Sequence, residues 1–241
     1  MLLPILISVI IVSLVSFVGA VFLSVKEKLL DKILLSLVAL AVGALLGGAF
    51  IHLLPESAGK MDICSVGVLF ITGIMIFFVL EKFIHWRHCH DGKCKVHAFT
   101  YLILVGDGVH NFIDGLVIAA AYLININLGI TTTLAIVIHE IPQEIGDFAV
   151  LIHGGFKKKK ALFFNFFSAC AAIIGALVGY FAGAGFNMAF LLPIAAGGFV
   201  YIAGIDLIPE LHKKTKPSES AMQFLFIVIG ITLMWLLKFI I

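Results

Sequence analysis

Five carboxylates and two imidazoles stand in two otherwise apolar stretches of this chain: Asp107, Asp114, Glu140, Glu144 and Asp147, with His110 and His139. No Lys or Arg occurs between residues 98 and 152. A charge left alone in hydrocarbon costs roughly several kcal/mol or more. Either these groups are protonated or their partner comes from outside the chain. Carboxylates mixed with imidazoles at helical spacing are the donor set of a divalent metal ion that enters, is held and leaves.

The spacing fixes which groups can meet. Asp107, His110, Asn111 and Asp114 fall at i, i+3, i+4 and i+7, one polar stripe on a helix. His139 and Gln143 are i and i+4, as are Glu140 and Glu144. Pro142 cannot donate to the carbonyl of Ile138, so a kink and a freed backbone oxygen are expected there. Oxygen and imidazole donors together suit zinc, iron or manganese better than calcium or potassium. A partly amide set also fits a transported ion better than a closed, Cys-rich structural zinc cage. A single buried His or Asp would be read as a hydrogen-bonded helix contact, but facing stripes with no basic partner ask for more. Asp107 and Asp147 extend the stripes as pathway or supporting residues. Asn165 either approaches the second metal position or packs as a helix amide. His52 and Asp206 fall where they would line an entrance or an exit.

The elements that carry these residues are membrane helices. Hydrophobic residues make up 62% of the 241 and charged ones 12%, against roughly 25% charged in globular chains. Eight apolar stretches approach the ~20 residues that cross a bilayer: 3–25, 33–54, 64–84, 98–123, 129–152, 161–183, 189–209 and 221–241. The first is read as an uncleaved span, since no positive charge precedes it. The last runs to Ile241. Fourteen of the sixteen Lys and Arg residues fall in or beside loops 1–2, 3–4, 5–6 and 7–8, leaving Lys60 and Lys238 on the other side. By the positive-inside rule those loops are cytoplasmic and both termini extracytoplasmic, in a plasma or inner membrane. The lysines at 157–160 read as a stop signal, and no nucleic acid is expected.

The fold class expected is an all-α integral membrane protein with one domain over 1–241. A weak repeat refines it. Span 2 holds Gly43 and ends His52-Leu53-Leu54-Pro55-Glu56, while span 7 holds Gly197 and ends Asp206-Leu207-Ile208-Pro209-Glu210. The two spans run in opposite directions, so spans 1–3 and 6–8 form an inverted repeat around spans 4 and 5, a 3+2+3 arrangement that is a transporter signature.

His110-Asn111-x-x-Asp114-Gly115 and His139-Glu140-x-Pro142-Gln143-Glu144-x-Gly146-Asp147 closely resemble the ZIP (Zrt-, Irt-like protein) metal transporters, and the resemblance covers essentially the whole chain, as a prokaryotic-type minimal member. It implies uptake of zinc, iron or manganese into the cytoplasm through a two-metal site between spans 4 and 5. By motif position, His110, His139 and Gln143 fall at one metal, and Asn111, Asp114, Glu140 and Gln143 at the other, with Glu144 adjoining. Gln143 departs from the family, where His or Glu is usual. Its neutral amide is a weaker ligand and bears on bridging. The resemblance also points to an elevator-like displacement. The metal is cargo, and no cofactor is expected. Partners are the metal ions and the bilayer, with a homodimer left open.

The loop after span 3 holds His85, His88, Cys89, His90, Cys94 and His97. These are zinc-type donors without a zinc-finger spacing. They suit a weak cytoplasmic site, or they are incidental to a solvated loop. The competing function is an intramembrane zinc metallohydrolase. His139-Glu140-x-x-Gln143 is one residue from His-Glu-x-x-His, but Gln143 removes a required ligand. An enzyme is therefore not expected.

Overall fold

The computed structural model describes residues 1–23, 26–88, 96–183, 189–213 and 216–239, without the side chains at 27, 28, 31, 32, 84–88, 131, 135 and 139. Every regular element among them is helical. Helix α1 (Leu2–Val15) tightens into a 3-10 segment, Ser16–Leu23. Helix α2 (Glu27–Gly47) widens into a π segment, Gly48–Leu53, and continues as α3 (Leu54–Ala58). Then come α4 (Ile63–His88), α5 (Phe99–Ile124) and α6 (Ile126–His153). The next span is broken at Cys170 into α7 (Lys158–Ala169) and α8 (Ala171–Ala182). Helix α9 (Leu191–Tyr201) also widens into a π segment, Ile202–Leu207, and resumes as α10 (Ile208–His212) before α11 (Pro217–Leu237).

Seven of these units are long and apolar enough to cross a membrane by length and composition: Leu2–Leu23, Ile33–Ala58, Ile63–Phe83, Phe99–Ile124, Lys158–Ala182, Leu191–His212 and Pro217–Leu237. The eighth, α6, has 28 residues but interrupts its apolar run with Glu140, Glu144 and Asp147. The boundaries differ most at the last span. It begins at Pro217 and its helix ends at Leu237 rather than running to Ile241, so Lys238 caps the end instead of lying in the last turn. Helix α6 continues through Pro142.

The molecule is inverted with respect to a water-soluble protein. Ile63, Phe167, Phe181 and Phe224 are exposed, while Asp107, Asn111, Glu140, Glu144 and Asp147 are buried. Lipid replaces water outside, so the outer surface needs no polar groups. Glycines let the helices close on one another. A Cβ on Gly43 would stand 2.2 Å from the Ile227 carbonyl oxygen, and one on Gly230 2.5 Å from that of Leu40. The crossing of α4 and α9 repeats the device: Gly73 would meet the Ile194 oxygen at 2.1 Å and Gly197 the Phe70 oxygen at 2.2 Å.

The two π segments have a common local cause. Each is six residues long and ends two positions before a proline, Pro55 or Pro209. Proline removes one backbone donor and crowds the turn before it. A widened turn takes up that mismatch without ending the helix.

Candidate metal centre

Helices α5 and α6 form an antiparallel pair because only Asn125 separates them. Its backbone is extended, and its side chain caps α6 by accepting from the Leu128 N–H at 2.8 Å. The pair puts the stripe Asp107, His110, Asn111, Asp114 against Glu140, Gln143, Glu144 and Asp147, all buried.

Two groups of donor atoms result. In one, single atoms of His110, Asp114 and Glu140 lie within 4.8 Å of one another; in the other, so do atoms of Asp107, Glu140 and Glu144. The His110 Nε2 is 3.5 Å from Asp114 Oδ2 and 3.4 Å from Glu140 Oε1. The His110 ring also rests against Phe199 of α9, with centroids 5.3 Å apart. Glu140 is common to both of these His/Asp/Glu groups, and Asp107 belongs to the second. Gln143 is buried.

Helix α7 closes one wall of the second group. The Ser168 hydroxyl donates to Asp107 Oδ2 at 2.5 Å, and the Asn111 amide donates to Asp107 Oδ1 at 2.9 Å. The Asn165 amide donates to Glu144 Oε2. Asn165 therefore approaches the second group, and its hydrogen bond gives it a positioning part as well. Ser168 was not anticipated. Its only signal was a place three residues after Asn165, on the same face.

Among the described residues, no amine or guanidinium is recorded against this charge. The Lys–carboxylate pairs of the described residues, Lys60–Glu56, Lys213–Glu210 and Lys216–Glu219, lie at helix ends. The Glu144 Oε1, Asp147 Oδ2, Asn111 Oδ1 and Asn165 Oδ1 atoms are buried with no hydrogen-bond donor among the described residues. Buried acceptors in such numbers are a deficit that a cation would fill.

The first group is reached through a cavity of about 120 Å³ lined by His52, Glu56, His110, Asp114, Thr132 and Gln143, among others. His52 lines this cavity, held by a 2.8 Å contact of its Nε2 with the Met234 carbonyl. Asp206 is not part of either group. It lies toward the opposite end, within electrostatic reach of Glu81 and Glu210. The side chains of His139, His85 and His88, and all of Cys89, His90 and Cys94, lie outside the described residues. His97 is exposed and stacks on Phe99, with centroids 5.1 Å apart.

Residues 2–98 and 88–238 match the family described as ZIP Zinc transporter. Among curated proteins, the chain is 34% identical over 216 residues to zinc transporter ZIP13 of Pongo abelii, covering 82% of this chain and 65% of that protein. It is 30% identical over 265 residues to zinc transporter zipt-7.2 of Caenorhabditis elegans (83% and 57%). It is 27% identical over 299 residues to metal cation symporter ZIP14 of Mus musculus (89% and 61%). The chain thus spans under two thirds of the length of these three relatives. All three are animal proteins, so the expectation of a prokaryotic-type member finds no support in them. The match extends over nearly the whole chain, and it joins a helical architecture of long apolar spans to a buried His/Asp/Glu core. This multi-pass membrane protein belongs to the ZIP zinc transporter family and is not an enzyme.

Proposed function

We propose that the chain carries divalent metal ions, zinc foremost and iron or manganese with it, across the membrane into the cytoplasm. The ion passes the site between α5 and α6, with His110, Asp114 and Glu140 as ligands and His139 and Gln143 beside them. One observation carries the reading: three buried donors of two chemical kinds converge, and two of them, His110 and Asp114, line a cavity that His52 and Glu56 also line. An imidazole with two carboxylates suits zinc and its first-row neighbours. The names of the relatives support the same cargo.

All of 1–241 acts as one transport domain of eight spans, α6 among them, in a 3+2+3 order. The inverted repeat is supported by three pairs of features that share one spacing along the chain: the two π segments, Pro55 with Pro209, and Gly43 with Gly197. The helix crossings support it too, since α2 meets α11 as α9 meets α4, in each case glycine to backbone. We take α1 and α5–α8 as the part that moves and α2–α4 with α9–α11 as its frame. Both termini face away from the cytoplasm of a plasma or inner membrane. The lightly buried α4 and α11 offer faces for lipid or for a second copy.

Zinc uptake by proteoliposomes of the purified protein tests the reading. Uptake that saturates in the intact protein and vanishes in Asp114→Ala is expected. Normal uptake by a folded Asp114→Ala protein would remove the site from the route.

A further inference from the structure

Helices α10 and α11 enclose a groove of about 470 Å³, within the roughly 300–1,000 Å³ of a ligand pocket. Its two walls share a gradient. Along α11 the wall is Ser220, Gln223, Phe224 and Ile227, at i, i+3, i+4 and i+7, so one helix face runs from polar to apolar. Along α10 it is Ile208, Leu211 and His212, at i, i+3 and i+4, so that face runs from apolar to polar. Only residues 213–216 join the two helices. The polar ends of both walls therefore lie beside that link, and Ile208 and Ile227 lie away from it. Phe224 is 69% exposed, so the apolar end is open to the surroundings of the molecule.

An apolar groove in a membrane protein takes up some lipid chain as a matter of course. The second observation is Gln223. Its side chain lines the groove and is buried, and no hydrogen bond of it is recorded among the described residues. A buried amide without a partner is costly in a bilayer, and ester oxygens of a lipid would accept from it.

Charge supplies the third. The link and the first turn of α11 carry Lys213, Lys214 and Lys216 against Glu219 alone. Lys213 and Lys216 are exposed, and each has one carboxylate near it, Glu210 at 2.5 Å and Glu219 at 3.8 Å. Exposed pairs of this kind are weak and leave both ammonium groups open to a further anion.

We infer that this groove binds one anionic phospholipid, its phosphate taken by Lys213 and Lys216, its ester groups by Gln223 and Ser220, and an acyl chain laid along Phe224 and Ile227. The orientation proposed above puts the link in the cytoplasm, and the anionic lipids of that leaflet are drawn to such lysines. Lys213 also holds Glu210, whose other oxygen stands 3.2 Å from His153 Nε2. A phosphate that draws Lys213 away would leave Glu210 to His153, so occupancy reaches the contact between α6 and α10. That consequence rests on the transport reading. The binding does not.

The test is lipid retention by the purified full-length chain in phosphatidylcholine nanodiscs, read by electron paramagnetic resonance of spin-labelled phosphatidylglycerol and, separately, spin-labelled phosphatidylcholine. The wild type should hold phosphatidylglycerol about tenfold more tightly. Lys213→Gln with Lys216→Gln should reduce the preference to about twofold or less, and Ser220→Trp, which fills the polar end, should do the same. The lysine pair alters only exposed side chains and keeps the test decisive if Ser220→Trp fails to fold. Lys157→Gln with Lys159→Gln should leave the preference intact. The proposal is overturned if the wild type holds both lipids equally, or if the Lys157 and Lys159 pair removes the preference as fully. It is also overturned if inorganic phosphate alone displaces the lipid, or if Ser220→Trp halves the particle mass and keeps the preference, which would make the groove an interface between copies. Zinc uptake by proteoliposomes of the same lipids keeps the two readings apart. Absent uptake with the expected lipid pattern would remove transport and leave the site.

Discussion

The two ends of the α5–α6 pair are built differently. Toward Thr132 and Glu56 the site opens into a cavity that touches His110, Asp114 and Gln143. Toward His97 and Gly154 it is shut. Thr100 Oγ1 donates to the Gly154 carbonyl at 3.2 Å, Phe99 stacks on His153, and His153 Nε2 lies 3.2 Å from Glu210 Oε2. Beside it, the Tyr201 hydroxyl donates to Glu81 Oε2 at 2.5 Å. The open end is a gap between helices, whereas the shut end is a set of polar contacts, each individually weak. A seal of that kind can be exchanged for water without unpacking a core. That suits an end that must also open, and under the orientation and alternation proposed above the structure corresponds to an outward-facing form.

The largest effect should come from removing what both ends serve. Asp114→Ala and His139→Ala should each abolish metal uptake, because losing a direct ligand should cost at least the about 10–100-fold in affinity that losing an outer-shell partner costs. Uptake assays on protein of normal abundance and elution behaviour check this. Uptake near the wild-type rate in either variant would mean that the ion does not pass between α5 and α6.

Next in size is a test of the frame. Gly43→Ala and Gly197→Ala should destabilise to similar extents, about 1–3 kcal/mol each, since both drive a methyl into a facing carbonyl. Gly67→Ala and Gly204→Ala should be nearly silent, because nothing lies within 4 Å of the added carbon. Thermal unfolding in detergent reads all four. Unequal costs at Gly43 and Gly197 would argue that the two crossings are not equivalent.

The stripes on α5 and α6 were legible in the sequence because helical spacing alone fixes who shares a face. What spacing cannot give is the rotation of one helix against another, and that rotation brings Glu140 within reach both of His110 with Asp114 and of Asp107 with Glu144. Ser168 was hard to see for another reason. It is a lone hydroxyl 61 residues from Asp107, marked locally only by its place three residues after Asn165. The π segments were hidden because Gly48–Leu53 and Ile202–Leu207 have ordinary helix compositions. Only Pro55 and Pro209 hinted at trouble in the turn. At the last span, Phe239-Ile240-Ile241 is as apolar as the helix before it, so hydropathy could not find the end at Leu237.

The shut end should respond more gently. The His153–Glu210 pair joins the end of α6, on the moving side, to α10, on the frame. A partly exposed pair is worth about 0–1 kcal/mol. Its loss in Glu210→Gln should shift the ratio of outward to inward accessibility by about fivefold or less. Cysteines placed on each side of His110 and labelled from either face, with and without metal, would measure that ratio. Simultaneous labelling from both faces, unchanged by metal, would mean a channel and no alternation at all.

The smallest effect belongs to the loop that leads into the shut end. His88, Cys89, His90 and Cys94, all changed to Ser, should slow uptake by a few-fold without ending it. The loop offers donors that bind zinc, but by sequence it lies between two spans rather than within one. Its influence has one recorded point of attachment. His97, at the loop's end, stacks on Phe99 and donates its backbone N–H to the Gly154 carbonyl. Phe99 in turn stacks on His153, which pairs with Glu210. Among the described residues, the path by which metal captured in the loop would bias the seal runs through His97. If that contact carries the influence, His97→Ala should reproduce the slowing while the four loop donors remain. If His97→Ala is silent and the fourfold variant is not, the loop acts on the metal in solution rather than on the gate. Complete loss of uptake in a well-expressed fourfold variant would place the loop in the ion's path.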